Sequence, residues 1–367
     1  MLQTPLIRQH RTAGAKLVEF AGWEMPIQYS GVVDEYHAVR SQAGLFDVSH
    51  MGRVLVAGSG AAAFLQRTTT NDIGKLAVGQ AQYSMVCNER GGIKDDIFVY
   101  RRTADDYLLC VNASNRGKIV AWLLEQRSGG GTVVLEDQSD ALAQLALQGP
   151  RSREILASLG ASEAASLKLH RSCDAKVASI PVLIARTGYT GELGFELYVA
   201  ADQAASLWER LMEQGRTSGL KPAGLGARDL LRLEMGYLLY GNDIGEETTP
   251  LEAGVEWTVD FSKGEFIGRA ALQEQNERGV PRRFVGVELL EKAVPRHGYK
   301  ILDRNQAEPI GEITSGNLSP LLQKGIGLGY VPSPYAQPGT VLRIDIRGKT
   351  LPAQVVKTPF YKKPTSV

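Results

Sequence analysis

The sequence predicts an α+β protein of two or three domains that ends in a small all-β domain, and three observations favour this fold. The chain has 367 residues, more than one ordinary domain. Between residues 80 and 112, three β-rich runs are separated by short polar turns, which is typical of an antiparallel meander. After about residue 280, short β runs alternate with Gly and Pro turns, which is typical of a barrel or a sandwich.

Composition excludes several classes of protein. Hydrophobic residues make up 43% of the chain, and 41 basic residues nearly balance 40 acidic ones. The formal net charge of +1 gives no support for nucleic-acid binding through bulk charge. The three cysteines are far apart in the sequence, so we expect neither a disulfide framework nor a zinc site.

The chain contains no segment that we interpret as a membrane span or a targeting signal. It has no apolar run of about 18 residues, so we expect no transmembrane helix. Its first residues lack a basic segment followed by an apolar one, so we expect no signal peptide and a cytoplasmic location.

The local pattern predicts helices and strands in order along the first half of the chain. A helix is predicted at residues 32–43, with Gly44 as its C-terminal stop signal, and an extended segment at 45–56. The following predicted elements are a helix at 60–66, strands at 81–87, 93–101 and 107–112, a helix at 115–126, a turn at 128–131, a strand at 141–147 and a helix from 151 onward.

The second half begins with a predicted hairpin, made of strands at 182–185 and 194–199. Helices are predicted at 204–214 and 225–239. The strands of the predicted barrel or sandwich are at 283–289, 310–315, 325–331, 341–346 and 351–356.

Two adjacent carboxylates, Asp95 and Asp96, lie in a predicted strand that follows a Gly-Gly turn. Because successive side chains of a strand point to opposite faces, Asp95 shares a face with aliphatic residues, and Asp96 shares the other with Lys94 and two aromatic residues. A carboxylate that faces a core or a pocket needs a partner. The simpler alternatives are that Asp95 accepts backbone amides and that a solvated Asp96 pairs with Lys94. Periodicity alone does not choose between them.

A third carboxylate, Glu196, lies in a predicted strand after a glycine-rich loop at residues 187–194. Alternation places Phe195 and Leu197 on the core face and Glu196 with Tyr198 on the other. A carboxylate beside aromatic rings can hold a flat heterocycle that has adjacent N–H donors. The simpler interpretation is a solvated glutamate on an outer face, and the residues alone favour it.

The segment from Gly224 to Asp229 superficially resembles a dinucleotide-binding loop. It lacks the third glycine and a closely preceding strand, so we exclude that function. A helix N-terminus at this place still favours an anion. Arg228 and Arg232 lie four residues apart, where like charges repel, so an acidic partner for Arg228 would be favourable, while Asp229 can pair with Arg232.

The run from Asp47 to His50 holds the residue types of a hydrolytic triad. However, adjacent Ser49 and His50 point apart on a strand, and the chain has no Gly-x-Ser-x-Gly elbow, so we exclude a hydrolase. The five histidines form no plausible cluster of metal ligands, so we expect no metal site.

Several segments together resemble one family, the aminomethyltransferase or T protein of the glycine cleavage system. In order they are Thr4-Pro5-Leu6, Phe20-Ala21-Gly22-Trp23-Glu24-Met25-Pro26, Phe46-Asp47-Val48-Ser49-His50-Met51-Gly52, Gly91-Gly92-Ile93-Lys94-Asp95-Asp96, Gly188-Tyr189-Thr190-Gly191-Glu192, Gly224-Leu225-Gly226-Ala227-Arg228-Asp229, Leu239-Tyr240-Gly241-Asn242-Asp243 and Thr314-Ser315-Gly316. Each motif is weak alone, but their order and spacing are highly specific, and the resemblance runs nearly end to end.

The resemblance implies three domains around a central cavity that binds tetrahydrofolate. Two are α+β lobes with antiparallel sheets, and the third is a C-terminal β-barrel. We expect a folate-binding region at residues 1–280, with lobe one at roughly 1–52 and 140–250 and lobe two at roughly 53–139, and the barrel at 281–367. The change of pattern near residue 280 agrees with the last boundary.

The resemblance also implies the reaction. The methylene carbon of an aminomethyl group on the lipoyl arm of H protein passes to tetrahydrofolate, giving 5,10-methylenetetrahydrofolate, ammonia and dihydrolipoyl H protein. Tetrahydrofolate and lipoylated H protein are thus the expected partners, and no metal, nucleic acid or membrane is expected.

The resemblance assigns roles to individual residues. Asp96 matches the catalytic carboxylate, which would stabilise iminium-like positive charge as ammonia leaves. Glu196 matches the carboxylate that binds the N–H pair of the pterin, and Arg228 matches the arginine on the acceptor side of the ligand. Asp95 is left with a structural role, which we expect to be tying the preceding Gly-Gly turn. The other matched positions around the folate are Met51, Tyr83, Asn112, Tyr189 and Tyr237.

Two alternative functions stay open. One is folate-dependent demethylation of dimethylglycine or sarcosine, although such enzymes usually carry an N-terminal flavin-binding dehydrogenase, which we do not find in this sequence. The other is a non-catalytic folate-binding protein that assists iron–sulfur cluster assembly. Proteins of that kind are not expected to keep Asp96, Glu196 and Arg228 together.

Overall fold

The computed structural model describes residues 1–127, 132–305 and 308–362, and the chain divides into two compact units. The first unit holds Met1–Val86, Asp95–Arg228 and Ser262–Phe266. The second holds Cys87–Lys94, Asp229–Phe261 and the chain from Ile267 onward. Within the described ranges, no helix is long and apolar enough to cross a membrane. The turn predicted at residues 128–131 lies outside the described residues.

The chain contains both helices and strands throughout its first 280 residues. The α-helices are α1 (Ile7–Thr12), α2 (Val32–Ser41), α3 (Ala61–Thr68), α4 (Arg116–Glu125), α5 (Ser152–Ser158), α6 (Ser162–Ala165), α7 (Ala204–Gly215), α8 (Leu225–Glu234) and α9 (Arg269–Arg278). The strands are β1 (Leu2–Gln3), β2 (Lys16–Phe20), β3 (Trp23–Gln28), β4 (Ala43–Asp47), β5 (Gly52–Ala57), β6 (Gln80–Cys87), β7 (Ile93–Arg101), β8 (Asp106–Val111), β9 (Val134–Asp137), β10 (Leu142–Gln148), β11 (Ser172–Val177), β12 (Ile180–Ala185), β13 (Gly194–Ala200), β14 (Leu220–Pro222), β15 (Arg282–Leu289), β16 (Lys300–Leu302), β17 (Pro309–Ser319), β18 (Lys324–Pro332), β19 (Val341–Ile346) and β20 (Lys349–Val356).

Two sheets of the first unit carry the residues of interest. A six-stranded sheet has the order β11-β12-β13-β10-β4-β14, and β14 runs parallel to β4 while the other pairs are antiparallel. A five-stranded sheet has the order β6-β7-β8-β5-β9, and a small sheet has the order β1-β3-β2. The predicted hairpin of β12 and β13 and the predicted meander of β6, β7 and β8 are both present.

The six-stranded sheet buries one face against helices. Phe195, Leu197 and Val199 of β13 lie in a core with Trp208 and Leu211 of α7, all at most 4% exposed. Because side chains alternate along a strand, Glu196 and its neighbours of the same parity face the other side of the sheet. This second face therefore carries polar and aromatic groups, among them Glu196 and Tyr198.

The second unit contains a closed barrel with the order β15-β18-β17-β16-β19-β20. Aliphatic side chains from these strands fill it, among them Val287, Ile313 and Ile344, which are at most 1% exposed. The predicted α+β class with a C-terminal β domain is confirmed. Of the two predicted alternatives for that domain, barrel and sandwich, the structure shows the barrel. Strand β16 was not predicted, because three residues give too short a pattern.

Two predicted helix ends differ from the structure at glycines. Helix α2 ends at Ser41, and Gly44 lies inside β4, where a Cβ would sit 2.4 Å from Val39 Cγ2. Gly44 therefore allows close packing rather than a left-handed helix end. Helix α8 ends at Glu234 instead of continuing to residue 239, and Gly236 takes the left-handed conformation with a φ of 68°.

Candidate active site

Asp96 lies on β7, is half-buried and is held by two neighbouring side chains. The hydroxyl of Tyr83 donates to its Oδ2 at 2.7 Å, and Nδ2 of Asn112 donates to its Oδ1 at 2.7 Å. Burial and the nearby Asp96 charge raise the pKa of Tyr83 well above its usual value, so Tyr83 keeps the proton that it donates. Lys94 was the simpler partner considered for Asp96, and its Nζ lies 3.7 Å from Oε2 of Glu246. Asp96 is thus fixed in one orientation by neutral donors.

Asp95, the adjacent residue, is fully buried on the other face of the regular strand β7. Its carboxylate accepts hydrogen bonds from the backbone N of Asn112 at 3.0 Å, from Nδ2 of Asn112 at 2.8 Å and from Nδ2 of Asn115 at 2.6 Å. Burial, followed by the charge of Asp96, raises the pKa of Asp95. The alternation of the two aspartates was predicted correctly.

The expected role of Asp95 in the Gly-Gly turn was wrong, because Asn88 has that role. Oδ1 of Asn88 accepts from the backbone N of Arg90 at 3.0 Å and of Gly92 at 2.9 Å. The physical reason is the regular alternation of β7, which directs Asp95 toward the segment after β8 and away from the turn. The side chain of an Asn in a turn commonly accepts from the backbone N–H two residues further on, and Asn88, the first residue of this predicted turn, does so.

Glu196 is buried, with 7% of its surface exposed, so the favoured interpretation of a solvated residue was wrong. Its carboxylate accepts from Thr187 Oγ1 at 2.5 Å, Gln144 Nε2 at 3.1 Å and the Tyr100 hydroxyl at 3.3 Å. Strand β13 lies between β12 and β10 inside the sheet. Periodicity gives the face of a residue but does not say whether that face is covered.

An aromatic path joins Asp96 to Glu196. Tyr83, which donates to Asp96, has its ring 5.4 Å from that of Phe98, and Phe98 stacks on Tyr100 at 6.1 Å. Tyr100 in turn donates to Glu196. The path leads from the five-stranded sheet to the six-stranded sheet within the first unit, so side-chain contacts connect the two predicted carboxylates.

Arg228, on α8, is a half-buried cation, and one of its nitrogen atoms is a buried donor without a partner in the described residues. Its guanidinium lies over the ring of Tyr189, 4.7 Å from the centroid. Burial lowers the pKa of Arg228, whereas the charge of Glu196 acts in the opposite direction. Among the described residues, Nη1 of Arg228 is buried and has no hydrogen-bond partner. Because an unpaired buried donor of a charged group costs more than about 1–3 kcal/mol, this atom indicates a place for an acceptor from a ligand.

The N-terminus of α8 already has its anion. Oε2 of Glu35 accepts from the backbone N of Gly224 at 2.8 Å. The anion predicted at this helix end is therefore supplied by the protein itself. In the second unit, Arg232 pairs with Asp229 at 2.8 Å, as predicted, and with Asp243 at 2.7 Å.

His50 lies beside this site without forming a triad. Nδ1 of His50 is buried and has no hydrogen-bond partner in the described part of the chain. Ser49 donates to the carbonyl of Gln144 at 3.3 Å, and Asp47 pairs with His10 at 2.8 Å. Burial lowers the pKa of His50 to about 4; Asp47 opposes that change and Arg228 adds to it. The exclusion of hydrolytic chemistry agrees with these contacts.

The remaining predicted positions fall in both units. Met51 packs against an aromatic cluster that includes Tyr100 and Tyr198. Tyr237 belongs to the second unit, where it is 37% exposed. Across the described ranges, no group of three or more His, Cys, Asp or Glu side chains could hold a metal ion.

Sequence reasoning missed the residues that hold the predicted ones in place. They are Asn115 for Asp95 and Gln144, Thr187 and Tyr100 for Glu196. Gln144 carried a usable signal, because it is a polar residue inside the otherwise apolar run of β10. Tyr100 could not be found, because it reaches Glu196 from another sheet. Asn115 and Thr187 could not be found either, because they lie outside the strands and the strand pattern does not place them.

Comparisons with known proteins agree on one family. Residues 6–263 match the GCVT N-terminal domain, and residues 282–362 match the glycine cleavage T-protein C-terminal barrel domain. An aminomethyltransferase of Halothermothrix orenii is 49% identical over 98% of this chain and 100% of its own length. One from Desulfitobacterium hafniense is 48% identical over 98% of both chains. The crystal structure of the glycine cleavage system aminomethyltransferase T of Bartonella henselae superposes with a TM-score of 0.91, 36% identity and 98% coverage of both chains.

Proposed function

The chain belongs to the glycine cleavage T-protein family and is an aminomethyltransferase, and we propose that it moves the methylene carbon from aminomethylated H protein to tetrahydrofolate. The products would be 5,10-methylenetetrahydrofolate, ammonia and dihydrolipoyl H protein. The observation that carries the proposal is that the first unit holds Asp96 and Glu196, which side-chain contacts connect, and Arg228. Nη1 of Arg228 has no acceptor among the described residues.

Asp96 is proposed to be the catalytic carboxylate. As ammonia leaves and the C–N bond of the aminomethyl group breaks, the carbon gains positive charge that it shares with the neighbouring sulfur. A carboxylate stabilises that charge, and one already fixed by Tyr83 and Asn112 needs little reorganisation during the reaction. The same carboxylate can orient an N–H group of the folate that attacks the carbon.

Glu196 and Arg228 are proposed to bind the folate. The ring N–H and the amino group of a pterin form a side-by-side donor pair, which suits a carboxylate that accepts through both oxygens. Nη1 of Arg228 would find its acceptor on the ligand. Tyr83, Tyr189, Met51, Asn112 and Tyr237 complete the proposed binding positions.

The proposal extends to the domains and the location of the protein. We propose that the six-stranded sheet forms lobe one and the five-stranded sheet lobe two. The barrel would be a third domain from about residue 281. A cytoplasmic location belongs to the same proposal.

The reaction can be tested with purified components. The protein is mixed with aminomethylated H protein and tetrahydrofolate, and ammonia and methylenetetrahydrofolate are measured together. We expect both products in equal amounts and only when folate is present. Ammonia release that folate does not stimulate would overturn the proposal, as would a folate product that forms from dimethylglycine or sarcosine and not from H protein.

A further inference from the structure

We propose that Asp95 is a positioning residue for the reaction, which acts by fixing Asn112 so that Asn112 holds the carboxylate of Asp96. This inference rests on the proposed function, in which Asp96 is the catalytic carboxylate. It gives the second member of the aspartate pair a role that strand alternation alone does not suggest.

One carboxamide group contacts both aspartates. Nδ2 of Asn112 lies 2.8 Å from Oδ1 of Asp95, 2.7 Å from Oδ1 of Asp96 and 3.1 Å from the carbonyl oxygen of Asp96. An amide nitrogen carries two hydrogens, so its two shortest contacts are satisfied together, one to each carboxylate. Asn112 thereby bridges the two faces of β7.

The register of the sheet explains how this bridge forms. Phe98 of β7 pairs with Cys110 of β8 in an antiparallel ladder. Asp96 lies two residues before Phe98, and Asn112 lies two residues after Cys110. Asn112 therefore follows directly after β8, at the level of Asp96. The backbone leaves the ladder there, and its side chain can reach both neighbours.

Asp95 fixes Asn112 at two points. Besides accepting from the side chain, it accepts from the backbone N of Asn112 at 3.0 Å. Asn115 donates a third bond to the same carboxylate at 2.6 Å, and Asn115 is itself only 4% exposed. Two contacts to one residue determine both its backbone and its side-chain rotamer, which leaves Asn112 a single direction in which to donate to Asp96.

The residues around Asp95 favour a positioning role for its carboxylate over simple filling of the core. Ile93 and Ile97, on the same face of β7, are at most 1% exposed, so an aliphatic side chain would suit this position. Each hydrogen-bond donor that the described residues offer Asp95 is a neutral amide. A buried carboxylate without a cation is costly, and an aliphatic residue would leave Asn112 without its anchor.

The test is a kinetic comparison of Asp95→Asn with a matched control. The amide of Asp95→Asn places an N–H donor against the donors of Asn112 and Asn115, so Asn112 loses its fixed direction. We expect kcat to fall about 10–100-fold, the range seen when residues that orient a functional group are removed, with KM for tetrahydrofolate within about threefold. Asp72→Asn is the control, because Asp72 also accepts from an amide side chain and a backbone N–H, and its kcat should stay within about twofold.

A double-mutant cycle separates positioning from a general structural role. In an Asn112→Ala background, Asp95→Asn has no carboxamide left to direct, so its additional effect on kcat should be less than about threefold. Circular dichroism and urea denaturation give the folded fraction of every variant, since Asn112 is itself a proposed folate-binding position. An equal loss of kcat in both backgrounds would overturn the inference, because it would show that Asp95 does not act through Asn112.

The outcomes distinguish this inference from the proposed function. A wild-type protein that shows no folate-dependent ammonia release contradicts the proposed function itself. An active wild type, with Asp95→Asn as active as Asp72→Asn, contradicts only the role of Asp95. If unfolding prevents measurement of Asp95→Asn, Asn115→Ala tests the same anchor by removing one of its donors. We expect Asn115→Ala to lower kcat and not KM, and an unchanged kcat would overturn the inference.

Discussion

His50 makes the stability of this protein depend on pH in a way that one substitution can remove. The imidazole is 3% exposed, and its buried Nδ1 has no hydrogen-bond partner among the described residues. Burial, with Arg228 and Arg53 nearby, lowers the pKa of His50 from 6.5 to about 4, although Asp47 opposes this. The folded protein therefore holds His50 neutral at pH values where the unfolded chain binds a proton.

The sign and the size of the effect follow from proton linkage. Between about pH 6.5 and 4, the unfolded state binds one proton more than the folded state at His50, so acidification favours unfolding. The free energy of unfolding falls by up to about 1.4 kcal/mol for each pH unit in this window. Over the whole window, His50 alone removes on the order of 3 kcal/mol.

The assay is urea denaturation of the wild type and of His50→Gln at several pH values from 4 to 7.5. Glutamine does not titrate, so the difference in unfolding free energy between the two proteins isolates His50. Asp95, whose pKa is raised, gives a slope of opposite sign, but it is present in both proteins and cancels. We expect the unfolding free energy of the wild type, relative to that of His50→Gln, to fall by about 3 kcal/mol from pH 7 to pH 4.

The control for this experiment is His37→Gln, which removes an exposed imidazole. Its difference from the wild type over the same pH range is the baseline for exchanging one histidine for glutamine. A His50→Gln difference that changes with pH no more than this baseline would refute the reasoning, because it would mean that His50 titrates alike in the folded and unfolded states.

Two further predictions concern the ligand site and the packing. Glu196→Gln should weaken tetrahydrofolate binding by about 10–100-fold, measured by calorimetry, since charge-assisted hydrogen bonds contribute about 1.5–3 kcal/mol. The control Glu213→Gln changes an exposed residue and should bind tetrahydrofolate as the wild type does. Equal affinities of the two variants would contradict the role of Glu196. Gly92→Ala should destabilise the protein by about 1–3 kcal/mol in urea denaturation, because its Cβ would lie 1.9 Å from the carbonyl oxygen of Glu246. Gly117→Ala, in α4 with open space around it, should instead be neutral or stabilising by about 0.5 kcal/mol, and a similar loss in both variants would refute the packing argument.

The sequence allowed the faces of the strands to be predicted, because alternation is a local property. The opposite orientation of Asp95 and Asp96 and that of Phe195 and Glu196 were both correct. What covers each face is not local. From the residues alone Glu196 was expected in solvent, but it is buried, and a second sheet supplies its partner Tyr100.

Local sequence pattern could not predict hydrogen-bond partners that come from distant segments either. Asn112 and Asn115 reach Asp95 only because β8 pairs with β7 in one register. Glu35 occupies the N-terminus of α8 although it lies far away in the sequence. Local pattern predicted an anion there but could not show that the protein supplies its own.

The central claim is that Asp96 provides the catalytic charge while Glu196 and Arg228 bind the folate. The most direct test is a single-turnover measurement of ammonia release from aminomethylated H protein with saturating tetrahydrofolate, in the wild type and in Asp96→Asn. We predict that Asp96→Asn binds folate nearly as tightly as the wild type but releases ammonia about 100–1000-fold more slowly. An Asp96→Asn variant that keeps most of its rate, or a folded Asp95→Asn variant that is the slower of the two, would contradict the account.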